Sequence, residues 1–412
     1  MAVTFGNIYP VCSGGYYPGY NDVVVTATSN NTSQPNFKYV VDLYVSGTQV
    51  LRQKYSPDAA GRLTSNLHRI IEAYLGSDID VADDGFKRCS SSIKQVTFQI
   101  GEEYGSTPTV YPNLSSGSIY AFNAALDLME RLDFNDSSYL TDGSSAAFLS
   151  SQSSFDIFSS QNAWVHMIRD TSNKPAKMQI ETFSGYSGGG ASLGKYRISN
   201  PYATLSVTSD RLLRFPSGTY NIGLISSGSI TVVSGALPII AASVKSYVLT
   251  PLDNSNNAVG AGVVYNVRDS NCKYSNYRLH FLNKYGGFDS MNFPLVSRAS
   301  IQPIERKTYR KVYGSNSSGV WSYSKGDVLE PTFDIQGNKK VKIQSDWMTD
   351  SQASWLEELM LSPLVYLETS PTVLSQVSLI DTSYEIKTKA VDKLIALAIE
   401  FRYPYNKKRQ RG

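Results

Sequence analysis

The sequence predicts a mainly β protein with minor α content, built as tandem β-sandwich domains of immunoglobulin- or fibronectin-like type followed by a small C-terminal α+β unit. Three observations predict it. Near the C-terminus Ile395, Leu397, Ile399, Phe401 and Tyr403 alternate with Ala396, Ala398, Glu400 and Arg402. That two-residue period gives a strand with one packed face, although Ala and Leu alone favour helix. Between 196 and 267 short apolar runs recur with Gly and Pro turns between them, the tight spacing of a sandwich or barrel. The clearest helix lies late in the chain, where Thr349 and Gln352 form a capping box and Trp355, Leu356, Leu359 and Met360 recur at helical spacing before Pro363. It follows a strand at Lys340-Val341-Lys342-Ile343, and its Trp355 face is expected to cover a sheet that ends near the C-terminus.

At 412 residues the chain is too long for one ordinary core, and the pattern divides it into 1–100, 101–275, 276–331 and 332–412. The first part reads as a three-stranded start to a sandwich: Asp22 to Thr28, Phe37 to Val45 and Val50 to Tyr55, with Ser46-Gly47 as the turn. Phe37, Tyr39, Val41, Leu43 and Val45 face one way, Lys38 and Asp42 the other. A helix over Leu67 to Leu75 is expected, capped by Thr64 or Ser65 and stopped by Gly76, and then a strand from Ile93 to Ile100.

The second part has weaker signals. Tyr120 to Leu132 fits helix or strand, and the serine runs near 144 and 150–154 read as loop. Strands are expected at Trp164 to Arg169, Lys177 to Phe183, Tyr196 to Ser199, Ala203 to Val207, Tyr220 to Ile225, Ser229 to Val233, Ala241 to Thr250 and Gly262 to Val267. A hairpin joins Tyr277–Leu282 to Phe288–Phe293 through Gly286-Gly287, a strand runs from Ile304 to Tyr313, and Gly314 to Gly319 is a loop. In the last part a polar turn region separates Leu364–Leu367 from a strand over Ser383 to Lys389.

Composition narrows the function. The chain has 38 basic and 35 acidic residues, a formal net charge of +3. Near-neutrality argues against nucleic-acid binding, which rests on clustered Lys and Arg displacing counterions. The one basic cluster in the sequence, Lys407, Lys408, Arg409 and Arg411, reads as a solvated terminus, with a contact to nucleic acid or to a neighbouring subunit's acidic patch as the minority reading. No basic start with an apolar run marks a secretory signal, and no apolar stretch is long enough for a membrane span. Synthesis and folding in a cytoplasm is therefore expected. Twenty-eight tyrosines suit half-exposed strands, large protein interfaces or glycan stacking.

Reactive chemistry finds little footing. Cys12, Cys89 and Cys272 are scattered and odd in number, so neither a disulfide framework nor a zinc site can be drawn. The three imidazoles read as structural: His68 on the polar side of a helix, His166 and His280 in strands beside apolar neighbours. Asp83-Asp84, Glu102-Glu103 and Glu357-Glu358 are adjacent acids, but neighbours diverge on a strand or helix, so adjacency does not make a hydrolase pair. Gly188-Gly189-Gly190 lacks the Gly-Lys-Ser/Thr ending of a phosphate loop and reads as a turn. No catalytic, metal or cofactor residue is assigned.

Several segments occur in a telling order. Phe37-Lys38-Tyr39-Val40-Val41-Asp42-Leu43-Tyr44-Val45 comes first, then Leu282-Asn283-Lys284-Tyr285-Gly286-Gly287-Phe288-Asp289. Ser297-Arg298 with Ile304-Glu305-Arg306-Lys307 follows, then Trp355-Leu356-Glu357-Glu358-Leu359 with Ser362-Pro363, and Ser383-Tyr384-Glu385-Ile386-Lys387. The ensemble resembles structural proteins of tailed phages infecting Bacteroidetes, including crAss-like gut phages, at both ends of the chain, with 101–276 outside it. The resemblance implies a non-enzymatic virion component of the tail, baseplate or connector ring, whose partners are copies of itself and other virion proteins. A glycan- or receptor-binding tail adhesin, recognising a host surface glycan, is the alternative, and a glycoside hydrolase-type tail enzyme a weaker one.

Overall fold

Alternating apolar residues give a strand one face to bury, and in the computed structural model strands make up most of the regular structure, with four short α-helices among the described residues. The structure describes residues 3–380, apart from 144, 270–272, 311, 313, 323, 327–329 and 331, and residues 397–408. The chain is mainly β in several sheets, as predicted, and falls into two units. Unit 1 comprises residues 1–270, 280–291 and 371–373, and unit 2 comprises 271–279, 292–370 and 374–412.

Unit 1 begins with two sheets. Val3–Tyr9, Val24–Ser29 and Arg62–Asn66 form one; Tyr16–Pro18, Thr109–Phe122, Ile93–Tyr104, Lys38–Val45 and Thr48–Tyr55 form the other in that spatial order. Their apolar faces share a core of Val25, Ala27, Leu63, Tyr39, Val41, Leu43, Phe98 and Ile100, with Ile71 from the helix His68–Glu72 and Leu67 just before it. The predicted inward set Phe37, Tyr39, Val41, Leu43 and Val45 is buried throughout. Ser46 and Gly47 both take positive φ, +50° and +83°, the geometry of a two-residue hairpin turn that suits glycine. Asp42, expected on the wet face, is buried instead, because Arg52 and Gln49 donate to its carboxylate.

The division at residue 100 falls inside the strand Ile93–Tyr104. Gly101-Glu102-Glu103 breaks the apolar alternation, yet Glu102 is fully buried, accepting from Ser29 Oγ and from Asn31 Nδ2 (2.9 Å). The helix at 68–72 has no side-chain cap, because Thr64 and Ser65 belong to the strand Arg62–Asn66. Tyr120–Phe122 ends a strand, while Leu128–Asp133 is a helix with a reciprocal Asp127–Glu130 capping box.

The rest of unit 1 holds a six-stranded sheet in the order Ser154–Ile157, Val263–Val267, Ser246–Leu252, Lys177–Phe183, Ser192–Ser199, Ile230–Ser234, and a three-stranded one of Trp164–Ile168, Leu212–Pro216 and Lys87–Arg88. Two expected strands are corrected. Tyr220 to Ile225 lies in and after the helical turn Thr219–Ile222, where Asn221 Oδ1 accepts from the Gly218 amide (2.8 Å) and holds the chain helical. Ala203 to Val207 is irregular, leading into the 3₁₀ turn Thr208–Arg211, whose Asp210 accepts from the Ser206 and Val207 amides.

Unit 2 is built on strands that neighbour one another in the order Val365–Ser370, Val373–Leu379, Ala398–Lys408, Thr332–Gln344, Arg298–Thr308. Val341, Ile343, Ile399, Phe401 and Tyr403 are buried, as the alternation predicted. Asp350–Leu361 is the expected helix, with Thr349 and Gln352 in a capping box and Trp355, Leu356 and Leu359 buried. The polar stretch after Leu367 is a strand, Val373–Leu379, and Gly314 to Gly319 is part of a small hairpin, Ser315–Ser317 with Val320–Ser322. The strand expected over Ser383 to Lys389 lies outside the described residues, as do Ile395 and Ala396, Cys272, Arg409, Arg411 and the side chains of Lys407 and Lys408.

Candidate assembly surface

Most of the described residues singled out for chemistry are committed to structure. His68 sits on the surface between Asn66 (Nδ1 to Oδ1, 3.0 Å) and Asp22 (3.3 Å). His166 is buried; burial first, then the Arg214 charge, lowers its pKa to about 3, so it is neutral and its Nδ1 accepts from the Phe288 amide (3.3 Å). His280 Nδ1 lies 2.6 Å from Ser290 Oγ, an imidazole beside a hydroxyl, but His280 has no exposed surface and stands edge-on to Trp164. A nucleophile sealed in a core meets no substrate.

The acids behave alike. Asp83 receives two bonds from Arg214 (2.6 and 3.0 Å) and one from Trp164 Nε1 (3.0 Å). Burial works against the Arg214 guanidinium, and the paired carboxylate more than offsets it, holding arginine's pKa above its ordinary value, while burial raises that of Asp83 against the pull of the same arginine. Asp84 pairs with Lys87 and Glu103 with Lys54 (2.5 Å). Glu357 is exposed on the Trp355 helix. Gly188-Gly189-Gly190 is a turn with positive φ at Gly188 and Gly190. Cys12 and Cys89 are buried free thiols, pushed by that burial up to about 11 and about 12. Among the described residues no group of three His, Cys, Asp or Glu side chains could hold a metal ion.

Many tyrosines turn inward. Tyr16, Tyr39, Tyr196 and Tyr247 are buried and donate to the backbone carbonyls of Arg169 (2.7 Å), Gly61 (2.6 Å), Ala236 (2.6 Å) and Ser217 (2.5 Å). Each ring fills core while its hydroxyl pins a loop.

The feature left to function is an edge. Ile230–Ser234 ends the six-stranded sheet and pairs on one side only, with Ser192–Ser199. Directly opposed residues share a face, so Val263, Leu249, Ile180, Tyr196 and Val232 form one row across the sheet. The first four are at most 2% exposed and Val232 is 43% exposed: the row's cover ends one strand short. Val233 (47%) and Leu237 (43%) are bare beside it. Residues Phe215 to Val244 contain no charged side chain, whereas natural edges are usually guarded by charge, proline or a covering loop.

Local chemistry fixes this edge in place. Tyr196 OH donates to Ala236 O just beyond the strand. Gly235 turns with φ +87°, where a Cβ would also meet Gly194 Cα and Leu193 O at 2.7 Å. Thr219 Oγ1 donates to Phe158 O (2.7 Å) and Asn221 Nδ2 to Ala163 O (2.8 Å), anchoring the helical turn behind it. Between turn and edge lies an apolar hollow of about 340 Å³ lined by Ile222, Ile225, Ile230, Leu237, Pro238 and Ile239 among others. The charge-free run was visible in the sequence as a signal, but only its place at a sheet edge gives it meaning.

No protein-family model matches the chain, and no curated protein sequence matches it.

Proposed function

We propose that this chain is a non-enzymatic virion structural protein of a tailed phage, part of the tail, baseplate or connector ring, which works by packing β surfaces copy against copy. One observation carries the assembly reading: the uncharged, uncovered edge Ile230–Ser234 with its apolar hollow. An edge presents unpaired amides and carbonyls, and a strand from another chain satisfies them while burying Val232, Val233 and Leu237. The collinear motifs support the phage assignment, and assembly would take place in the host cytoplasm. Sedimentation of the full chain tests the edge. The double variant Val232→Lys, Val233→Lys is expected to lower self-association at least about a hundredfold, since each strand joined would bury two ammonium groups. Equal association of variant and parent defeats the reading, as does absence of the chain from purified particles by mass spectrometry.

A second reading, a glycan- or receptor-binding tail adhesin, has its own observation. Tyr104 and Tyr111 stack 4.9 Å apart at 25° with Tyr111 41% exposed, a flat aromatic platform of the kind on which sugar rings stack. A glycan array in which Tyr111→Ala and the parent give the same signal removes it.

A further inference from the structure

We propose that a polar hollow in unit 1, walled by Gln95, Tyr120, Thr208 and Arg211, binds a single acidic sugar through its carboxylate. Gln95 and Tyr120 stand directly opposite each other on Ile93–Tyr104 and Thr109–Phe122, so both project from one face of that sheet. The 3₁₀ turn Thr208–Arg211 meets the same face, and together they enclose about 350 Å³, which Leu205 and Val207 also line.

Arg211 is held in place with donors to spare. Its guanidinium lies 4.1 Å from the centre of the Tyr120 ring, and Nη1 donates to Tyr16 OH (2.8 Å) and Asp170 Oδ1 (2.9 Å). Nε and Nη2 have no partner among the described residues, and the side chain is 20% exposed. That Nε and Nη2 edge is the one by which Arg52 grips Asp42 and Arg214 grips Asp83 in this same chain. A planar fork presenting it to a hollow is matched to a carboxylate. The surrounding charge favours an anion as well. Arg88 pairs with Asp210 and Arg211 with Asp170, but the fully buried Arg169, whose amide bonds to the Arg211 carbonyl, has only backbone carbonyls as partners among the described residues, those of Tyr202 and Ala203 included. Three guanidiniums against two carboxylates leave one positive charge unpaired beside the site.

The uncharged groups select a sugar over a bare anion. The Gln95 amide and Thr208 hydroxyl have no side-chain partner among the described residues and can exchange hydrogen bonds with ring hydroxyls, while Val207, 51% exposed, offers an apolar surface to the C–H side of a ring. The site goes beyond the glycan-binding reading and shares no residue with the Tyr104–Tyr111 platform.

Isothermal titration of the full chain with glucuronate, N-acetylneuraminate, glucose, acetate and inorganic phosphate tests this. At least one acidic sugar is expected to bind with a Kd of about 1 mM or tighter, and glucose at least about tenfold more weakly. Arg211→Lys keeps the charge and loses the fork, and should weaken the acidic sugar at least about tenfold; Gln95→Leu should weaken it about two- to tenfold. Both are checked for an unchanged melting midpoint, and a folded variant that binds like the parent overturns the proposal. So does binding of neither acidic sugar, glucose binding as tightly as they do, or acetate or phosphate matching them. Tyr111→Ala should bind the acidic sugar like the parent; a loss there moves the sugar to the platform and overturns this site, whereas loss of the array signal alone touches only the platform.

Discussion

Two of the strands that end sheets in unit 1 are finished differently. Thr48–Tyr55 closes the five-stranded sheet with Arg52 and Lys54, each nearly half exposed, tied back to Asp42 (2.7 Å) and Glu103 (2.5 Å). Ile230–Ser234 closes the six-stranded sheet with Thr, two Val and Ser open to solvent and no charge within ten residues on either side. A strand approaching the first edge must strip water from an ammonium and a guanidinium; one approaching the second meets valines, two uncharged hydroxyls and unpaired backbone. The contrast teaches that exposure alone does not mark an assembly surface. Exposure without charged guards is what the proposed assembly rests on.

The comparison breaks most visibly if the bare edge is guarded: the two lysines of Val232→Lys, Val233→Lys should cost at least about a hundredfold in association and leave the melting midpoint nearly unchanged. Next comes Gly218→Ala. A Cβ there would collide with the backbone of Gln161 and Ala163, so the helical turn behind the hollow must shift, and a loss of about 1–3 kcal/mol in urea unfolding is expected. Acid separates assembly from folding. The folded pKa of His166, about 3, lies below its ordinary 6.5. Between those values the unfolded chain binds the extra proton, so stability falls as pH drops from 6.5 toward 3, by at most about 1.4 kcal/mol per pH unit from this group. His166→Asn should flatten that slope; identical slopes in both proteins would falsify the assignment. Smallest is the converse edit: Arg52→Val with Lys54→Val unguards the first edge and should produce new, modest self-association in light scattering where the parent shows none through that edge.

Much of the fold was legible. Phe37 to Val45 alternates cleanly because one face meets a core, and the hairpin Tyr277–Leu282 to Phe288–Phe293 lies where Gly286-Gly287 puts it, with Gly286 at φ +80°. The misread elements have one cause. Asn221 holding the Gly218 amide and Asp210 holding Ser206 and Val207 are side-chain-to-backbone bonds that outweigh β-prone composition. Glu102 and Arg169 are charged types found buried because partners distant in sequence satisfy them, for Arg169 the carbonyls of Tyr202 and Ala203 among them, while Asp42 is satisfied across its own hairpin by Gln49 and Arg52.

The sequence by itself determined the strands at Phe37 to Val45 and Ile399 to Tyr403 with their apolar faces, and the capped helix at Thr349, since period and capping are local properties of the chain. Only the tertiary structure decided which strands lie at sheet edges, which charged side chains stand opposite one another, and that the uncharged run after Arg214 is left open. Strand order and register arise from contacts between residues far apart in the chain, and no local pattern records them.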